Sequence, residues 1–380
     1  MIYLPDGVQD FLPEEYRVKR KIEEKFREVF IKFGYQEIMP PTFEYNDNFS
    51  VLFDENNLYR FFDKKGNILA LRPDVTTQIA RIVSTKLKGS FPLKLCYVAN
   101  VYRYDDPQVG KMREFTQAGI ELIGTNHEES DAEIIAVAIE ALKSIGIEDF
   151  KVDVGQVEFF KRVVEDLELQ NEEINLLREF LQQKNQSAIE EFINDKGIRG
   201  KKAEFLSELP LLFGGEEVLK RAKELYDTPK LGETIDYLER VYRILKDFGM
   251  EEYISFDLGM VQNLNYYTGI IFRCFVKGIG YAICTGGRYD GLLGIFGEHI
   301  PATGFAISVE RSMLALQKQK KDIIDKSWRV LIKYKENLRS NAYKKATLLR
   351  GEGKIVEMYS YEKAKHVDEN SFDEIIDMEE

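Results

Sequence analysis

The chain has 380 residues, 44% of them hydrophobic and 31% charged, enough apolar material to bury sizeable cores in two or three domains and too much chain for a small module. A formal net charge of −12 opposes tight engagement of a nucleic-acid backbone, because that affinity rests largely on lysine and arginine displacing counterions. Cys96, Cys274 and Cys284 lack zinc or redox spacing and His127, His299 and His366 are scattered, so neither a metal site nor a cofactor is expected.

The first clear element is a helix over Glu14–Phe33, where Val18, Ile22, Phe26, Val29, Phe30 and Phe33 recur on one face and Gly34 is a natural stop. Tyr35–Tyr45 reads as a strand interrupted by Pro40 and Pro41, which cannot donate to a ladder and so mark an edge or a strand end. Around Asp74, the run Leu71-Arg-Pro-Asp-Val-Thr-Thr77 reads as a turn or a cap. Glu114–Ile123 roughly alternates polar and apolar residues, a strand with Gln117 and Glu121 on one face. A carboxamide and a carboxylate placed that way suit the two nitrogens of an imidazole; they equally suit the polar outer face of a sheet. Residues 158–252 are rich in Leu, Glu, Lys and Phe and read as several helices, with turns at Gly197–Gly200 and Leu212–Gly215.

Tyr266 and Tyr267 fall on a segment that reads as a strand, where alternate side chains face opposite ways and one ring can line a pocket. Gly286-Gly287 reads either as a hairpin turn or as a place where a ligand approaches the backbone. After Lys326 come a strand over Trp328–Tyr334, a helix from Ser340 to about Arg350, a strand over Lys354–Tyr359, and a further helix and strand near Phe372–Met378. The acidic end of the chain would repel RNA, or simply keep a terminus soluble. No run approaches the roughly 18 apolar residues needed to cross a bilayer, and no charged-then-apolar leader opens the chain; the expected location is cytoplasmic.

Several of these runs resemble the signatures of the histidyl-tRNA synthetases, which are class II enzymes. Leu4-Pro-Asp-Gly-Val-Gln-Asp-Phe-Leu-Pro13 opens a match that continues almost without gaps through residues 1–150. Tyr35–Tyr45 is similar to the dimer-forming motif 1, Val101–Glu121 to motif 2 and Thr303–Leu314 to motif 3. The runs Leu258-Gly-Met-Val-Gln-Asn-Leu-Asn-Tyr-Tyr-Thr-Gly269 and Cys284-Thr-Gly-Gly-Arg-Tyr-Asp-Gly291 resemble the two histidine-specific signatures. By that resemblance Asp74 and Thr76 hold an amino acid's ammonium group, and Gln117, Glu121, Tyr266 and Tyr267 line a histidine pocket. Arg103, Lys111, Gln262 and Arg311 then stand at phosphate or nucleotide positions. The resemblance implies an α+β fold: an antiparallel sheet flanked by helices over residues 1–157 and 253–322, a helical insertion over 158–252, and a truncated anticodon-binding-like α/β domain over 326–380. A self-dimer through the core is implied as well.

The departures from the pattern are concentrated at the phosphate positions. The synthetases read Val-Arg-Gly-Leu-Asp-Tyr-Tyr-Thr-Gly where this chain has Gln262, Asn263 and Asn265. Forming an aminoacyl adenylate gathers negative charge at phosphorus, and losing one aimed donor there costs roughly 3 kcal/mol. Asp106 replaces a motif 2 arginine, a full charge reversal, and Lys111 replaces another. Asp74 is one methylene shorter than the glutamate of the pattern. A kept amino-acid pocket beside edited phosphate chemistry resembles a non-aminoacylating branch of the family, the regulatory subunits of ATP phosphoribosyltransferase. That resemblance implies no catalysis by this chain, assembly with a short catalytic subunit, support of the first step of histidine biosynthesis, and feedback inhibition by histidine as effector, without tRNA binding. The alternatives are a divergent active histidyl-tRNA synthetase and a free-standing module sensing uncharged tRNA or an amino acid.

Overall fold

A proline at the first helical position, Glu14 and Glu15 in the first turn and Gly34 at φ 87° beyond the last delimit helix α1, Pro13–Lys32. These features belong to a computed structural model that describes residues 3–89, 91–104, 112–165, 167, 169–225, 228–260, 266–324 and 328–379. Ile22, Phe26 and Phe30 are fully buried on the inner face of α1, with Val18 and Val29 packed beside them. Phe33, read from the sequence as part of that face, lies past the last turn and is exposed.

In chain order there follow β1 (Gln36–Glu37), β2 (Phe43–Tyr45), α2 (Asp47–Ser50), β3 (Arg60–Phe62), β4 (Ile68–Leu71), α3 (Thr76–Lys86), β5 (Leu93–Tyr102), β6 (Glu114–Ile123), α4 (Glu128–Ser144) and β7 (Phe150–Gln156). A helical stretch comes next: α5 (Val157–Glu165), α6 (Asn171–Gln182), α7 (Gln186–Asp195), α8 (Lys201–Glu208), the two-residue β8 (Phe213–Gly214), α9 (Glu217–Leu225) and α10 (Pro229–Asp247). The chain then returns to the sheet through β9 (Ile254–Asp257), β10 (Ile270–Val276), β11 (Cys284–Arg288) and β12 (Ala302–Ser308), and closes this unit with α11 (Val309–Gln319). Met1–Ile323 form one compact unit and Ile324–Glu380 a second.

Among the described residues the main sheet has nine strands in the order β1-β5-β6-β12-β11-β10-β7-β9-β8. Every pairing from β5 across to β7 is antiparallel, while β1 on β5 and β9 on β7 are parallel, so the sheet is mixed at its ends. The expected strand over 35–45 is two pieces in two sheets: β1 joins the large sheet, and β2 joins a small antiparallel sheet of order β2-β4-β3. Pro40 and Pro41 fall at the crossing, where neither could have supplied a ladder donor. Leu212–Gly215, expected as a turn, contains β8, which finds a partner in β9 that no local signal announces.

Helices α1, α4 and α10 lie on one face of the large sheet, and Phe30, Phe272 and Phe305 interlock beneath them, with ring centroids 5.8 Å and 6.4 Å apart in edge-on geometry. Gly286 and Gly287 are not a hairpin. They lie inside β11, and a Cβ at Gly286 would strike Phe272, Phe305 and the Gly304 carbonyl, so the glycine lets those two rings close over the strand. The second unit carries β13 (Arg329–Tyr334), α12 (Arg339–Gly351), β14 (Ile355–Ser360), α13 (Tyr361–Ala364) and β15 (Glu374–Met378), with the three strands parallel in the order β14-β13-β15. Val330, Ile332, Ala342, Ala346, Leu349 and Val356 form its core. Among the described residues no helix is long and apolar enough to cross a membrane.

A buried ion pair ties three of these elements together. Arg288 of β11 reaches Asp131 of α4 with two bonds of 2.8 and 3.1 Å, donates to the Thr125 carbonyl at 3.0 Å, and Tyr237 of α10 donates to the same Asp131 carboxylate at 2.5 Å. Removing one partner leaves the other charged and buried, which typically costs about 3–5 kcal/mol. Arg288→Met should therefore lower the urea unfolding free energy by about that amount. Arg20→Ala, which breaks the exposed Arg20–Glu24 pair, should shift it by less than about 0.5 kcal/mol; equal effects would contradict the assignment.

Candidate functional site

The face of the sheet opposite α1 and α4 is built in rows set by strand register. One row runs Tyr97, Gly119, Ala306, Thr285, Arg273 and Asp153 across β5, β6, β12, β11, β10 and β7; the next runs Leu95, Glu121, Gly304, Gly287, Ile271 and Gly155. Small residues occupy the middle of both rows, which leaves open space over the centre of the sheet. Gly304 is required where it stands, because a Cβ there would collide with the Glu121 carboxylate.

Glu121 lies at the bottom of this space, 1% exposed. Thr76, at the start of α3, donates to one carboxylate oxygen at 2.6 Å, and the Tyr289 hydroxyl donates to the other. Burial pushes the Glu121 pKa up to about 8, the Thr76 and Tyr289 hydroxyls pull against that rise, and the neighbouring Asp74 charge adds to it. Asp74 is itself buried; desolvation raises its pKa, and the Thr77 hydrogen bonds and the Arg103 charge offset part of the rise. Its Oδ1 accepts the Thr77 backbone N–H at 3.3 Å.

Tyr266 and Tyr267 do not sit on a strand. They occupy the turn before β10, and their rings lie on the same side, centroids 4.7 Å apart, with Tyr266 packed edge-on against Tyr289 at 6.0 Å. The expectation of one ring on each face fails because a turn does not impose the alternation of a pleated strand. Both phenols have raised pKa values, chiefly from burial, and both feel the charges of Asp74 and Glu121. Asp74, Thr76, Glu121, Tyr266 and Tyr267 are thus brought into one cluster. Tyr289 belongs with them, although the sequence motifs do not single it out; its signal is the even spacing from Thr285 and Gly287.

Beside this cluster opens a cavity of about 590 Å³ whose lining includes Gln117, Arg103, Arg311, Arg273, Asp257 and Tyr281. Gln117 is half-buried, four residues from Glu121 on the same face of β6, and its Oε1 is buried without a hydrogen-bond partner among the described residues. The Arg103 Nε donates to the Pro73 carbonyl at 2.7 Å, and its guanidinium lies 5.6 Å from the Phe115 ring centre. Arg311 donates to the Ala282 carbonyl at 2.6 Å and stacks 4.8 Å over Tyr281. Glu310 beside it accepts the Thr116 N–H and pairs with the buried Lys19 at 3.2 Å, which anchors the start of α11 to β6 and α1. Lys111 and Gln262, with Asp105, Asp106, Asn263 and Asn265, lie outside the described residues. A larger cleft of about 1040 Å³ at the Phe150–Tyr253 end of the sheet holds none of the residues singled out in the sequence. Among the described residues no group of three or more His, Cys, Asp or Glu side chains is placed to hold a metal ion.

The raised Glu121 pKa has a measurable consequence for stability. The folded state holds this proton up to about pH 8, whereas the unfolded carboxyl releases it near 4.5, so the group's contribution to stability declines as pH rises through that interval. Glu121→Gln removes the titration and should flatten the fall of urea midpoint between about pH 5 and 8 relative to the parent chain. Parallel pH profiles for the two proteins would show that Glu121 titrates normally.

The family model for histidyl-tRNA synthetase matches residues 7–311. An ATP phosphoribosyltransferase regulatory subunit of Thermoanaerobacter sp. is 99% identical over 380 residues, all of both chains, and one of Caldanaerobacter subterraneus subsp. tengcongensis is 70% identical over the same span. A solved structure described as an ATP phosphoribosyltransferase regulatory subunit/histidyl-tRNA synthetase from Bacillus halodurans superposes with a TM-score of 0.90 at 32% identity, covering 100% of this chain and 98% of that one. With identity of this degree over its whole length, and with the family model spanning residues 7–311, the chain belongs to the histidyl-tRNA synthetase family and, within it, to the ATP phosphoribosyltransferase regulatory subunits.

Proposed function

We propose that this regulatory subunit binds free L-histidine in the cluster around Glu121 and transmits its occupancy to a short-form catalytic subunit of ATP phosphoribosyltransferase. In this reading the two assemble in the cytoplasm, the assembly supports the first step of histidine biosynthesis, and bound histidine inhibits it. The observation that carries the reading is the pair on one face of β6: a buried carboxyl at Glu121, beside Tyr266, Tyr267 and Tyr289, and a buried carboxamide oxygen at Gln117 without a hydrogen-bond partner among the described residues. A neutral imidazole carries one donor and one acceptor and an imidazolium two donors, and these two side chains can meet either form, the carboxyl by changing its own protonation. Asp74 and Thr76 stand beside them with the charge and hydroxyl that an ammonium group needs. A ligand that prefers one quaternary arrangement shifts the partner's equilibrium by its difference in affinity, and nothing more is required for feedback control.

The three cysteines support the location, being buried and unpaired as thiols in a reducing compartment are. Self-association is supported by the small sheet, where Phe43, Tyr45 and Phe61 are exposed on one face with Phe43 and Phe61 in edge-on contact at 5.5 Å. We assign that face to a second copy of the chain.

Co-expression with a short-form catalytic subunit should give a complex whose activity depends on this chain and falls when histidine is added. Gln117→Leu should raise the histidine concentration needed for half-inhibition by roughly tenfold without loss of basal activity. Histidine-dependent exchange of pyrophosphate into ATP by the chain alone would overturn the reading. Introducing Phe43→Asp and Tyr45→Asp together should convert the sedimenting dimer to a monomer; an unchanged sedimentation coefficient would move the dimer contact elsewhere.

A further inference from the structure

Arg273 is the cation on this face that the site leaves without work. It sits in the middle of β10, half-buried, with its side chain on the cavity lining, and among the described residues it makes no hydrogen bond and no ion pair. The other cations of the cavity are engaged: Arg103 and Arg311 donate to backbone carbonyls and lie against aromatic rings, and Lys184 pairs with Asp257 at 3.0 Å. Of the neighbouring carboxylates, Asp257 meets that lysine through Oδ2 while its buried Oδ1 has no hydrogen-bond partner among the described residues, and Asp153 accepts from the Ser255 hydroxyl. Burial lowers the Arg273 pKa, and the charges of Asp257, Tyr267 and Asp153 only counter that effect. A guanidinium held this way is short of an anionic partner.

Register fixes what lies opposite. Arg273 shares a row with Thr285, Ala306 and Gly119, and on β6 that row falls between Gln117 and Glu121. Three strand spacings, about 14 Å between backbones, separate β10 from β6. The two intervening residues, Thr285 and Ala306, are small, and both they and the residues at the two ends, Arg273 and Gln117, line the one cavity. The cavity of about 590 Å³ over this row thus has the Gln117 carboxamide at one end and a two-pronged cation at the other.

We infer that Arg273 anchors the α-carboxylate of the effector, and so makes the site selective for a free amino acid over the corresponding amine. This deepens the histidine reading above and rests on it. The planar fork of arginine matches both carboxylate oxygens, which a lysine in its place does not.

The test is titration calorimetry of the full chain with L-histidine and with histamine, which keeps the imidazole and amine but lacks the carboxylate. The parent chain should prefer histidine. Arg273→Gln should weaken histidine binding by roughly 10- to 100-fold and leave histamine binding nearly unchanged, so that the preference collapses. Arg273→Lys keeps the charge without the fork and should give an intermediate loss for histidine alone; it carries the test if the glutamine variant does not fold. An unchanged histidine-to-histamine ratio in a folded variant overturns the role of Arg273 while leaving the histidine site intact. Failure of the parent chain to bind histidine overturns both.

Discussion

Keeping the Glu121 carboxyl out of water on the inner face of a sheet is the constraint around which this molecule is arranged. A buried carboxylate is tolerated only when its oxygens are met by donors, and here those come from two distant parts of the chain, the Thr76 hydroxyl at the start of α3 and the Tyr289 hydroxyl just past β11. Tyr289 can reach it only if β6, β12 and β11 lie side by side in one register, and that register is possible only because Gly304 has no side chain to collide with the carboxylate. Desolvation then holds the proton on Glu121 up to about pH 8, which leaves the pocket able to donate or accept near neutrality. The chemistry of the pocket and the packing of the sheet are therefore a single problem.

The opposite face solves a different one. Phe30, Phe272 and Phe305 fill the layer beneath α1 and α4, and the Arg288–Asp131–Tyr237 network passes from β11 through α4 to α10. Because Arg288 and Tyr289 are consecutive, the strand that supplies a donor to Glu121 is fastened one residue earlier to the helical layer. A shift of the helical layer would therefore be felt at Glu121 without any large change in the sheet.

Two arginines of the cavity, Arg103 and Arg311, are held by the backbone carbonyls of Pro73 and Ala282 and by the faces of Phe115 and Tyr281. Their charges line the cavity with their orientation already set. For a regulatory subunit this favours a fixed binding surface over the transient charge stabilisation that adenylate chemistry demands.

The sequence by itself determined the family, the long amphipathic α1, the strand carrying Gln117 and Glu121, and the helical run between β7 and β9. All of these depend on local periodicity or on runs of contiguous residues, and such information survives in a linear string. Only the tertiary structure decided that Tyr35–Tyr45 divides between two sheets, that Tyr266 and Tyr267 share one side of a turn, that Gly286 serves aromatic packing inside a strand, and that Tyr289 and Arg273 face the pocket. Those outcomes depend on which strand lies beside which, and neighbours in this sheet come from distant parts of the chain: β6 pairs with β12, and the Thr116 N–H at the start of that ladder donates to a Glu310 carboxylate 194 positions further on. A side chain's surroundings at that separation are set by register and burial, which no short window of sequence contains.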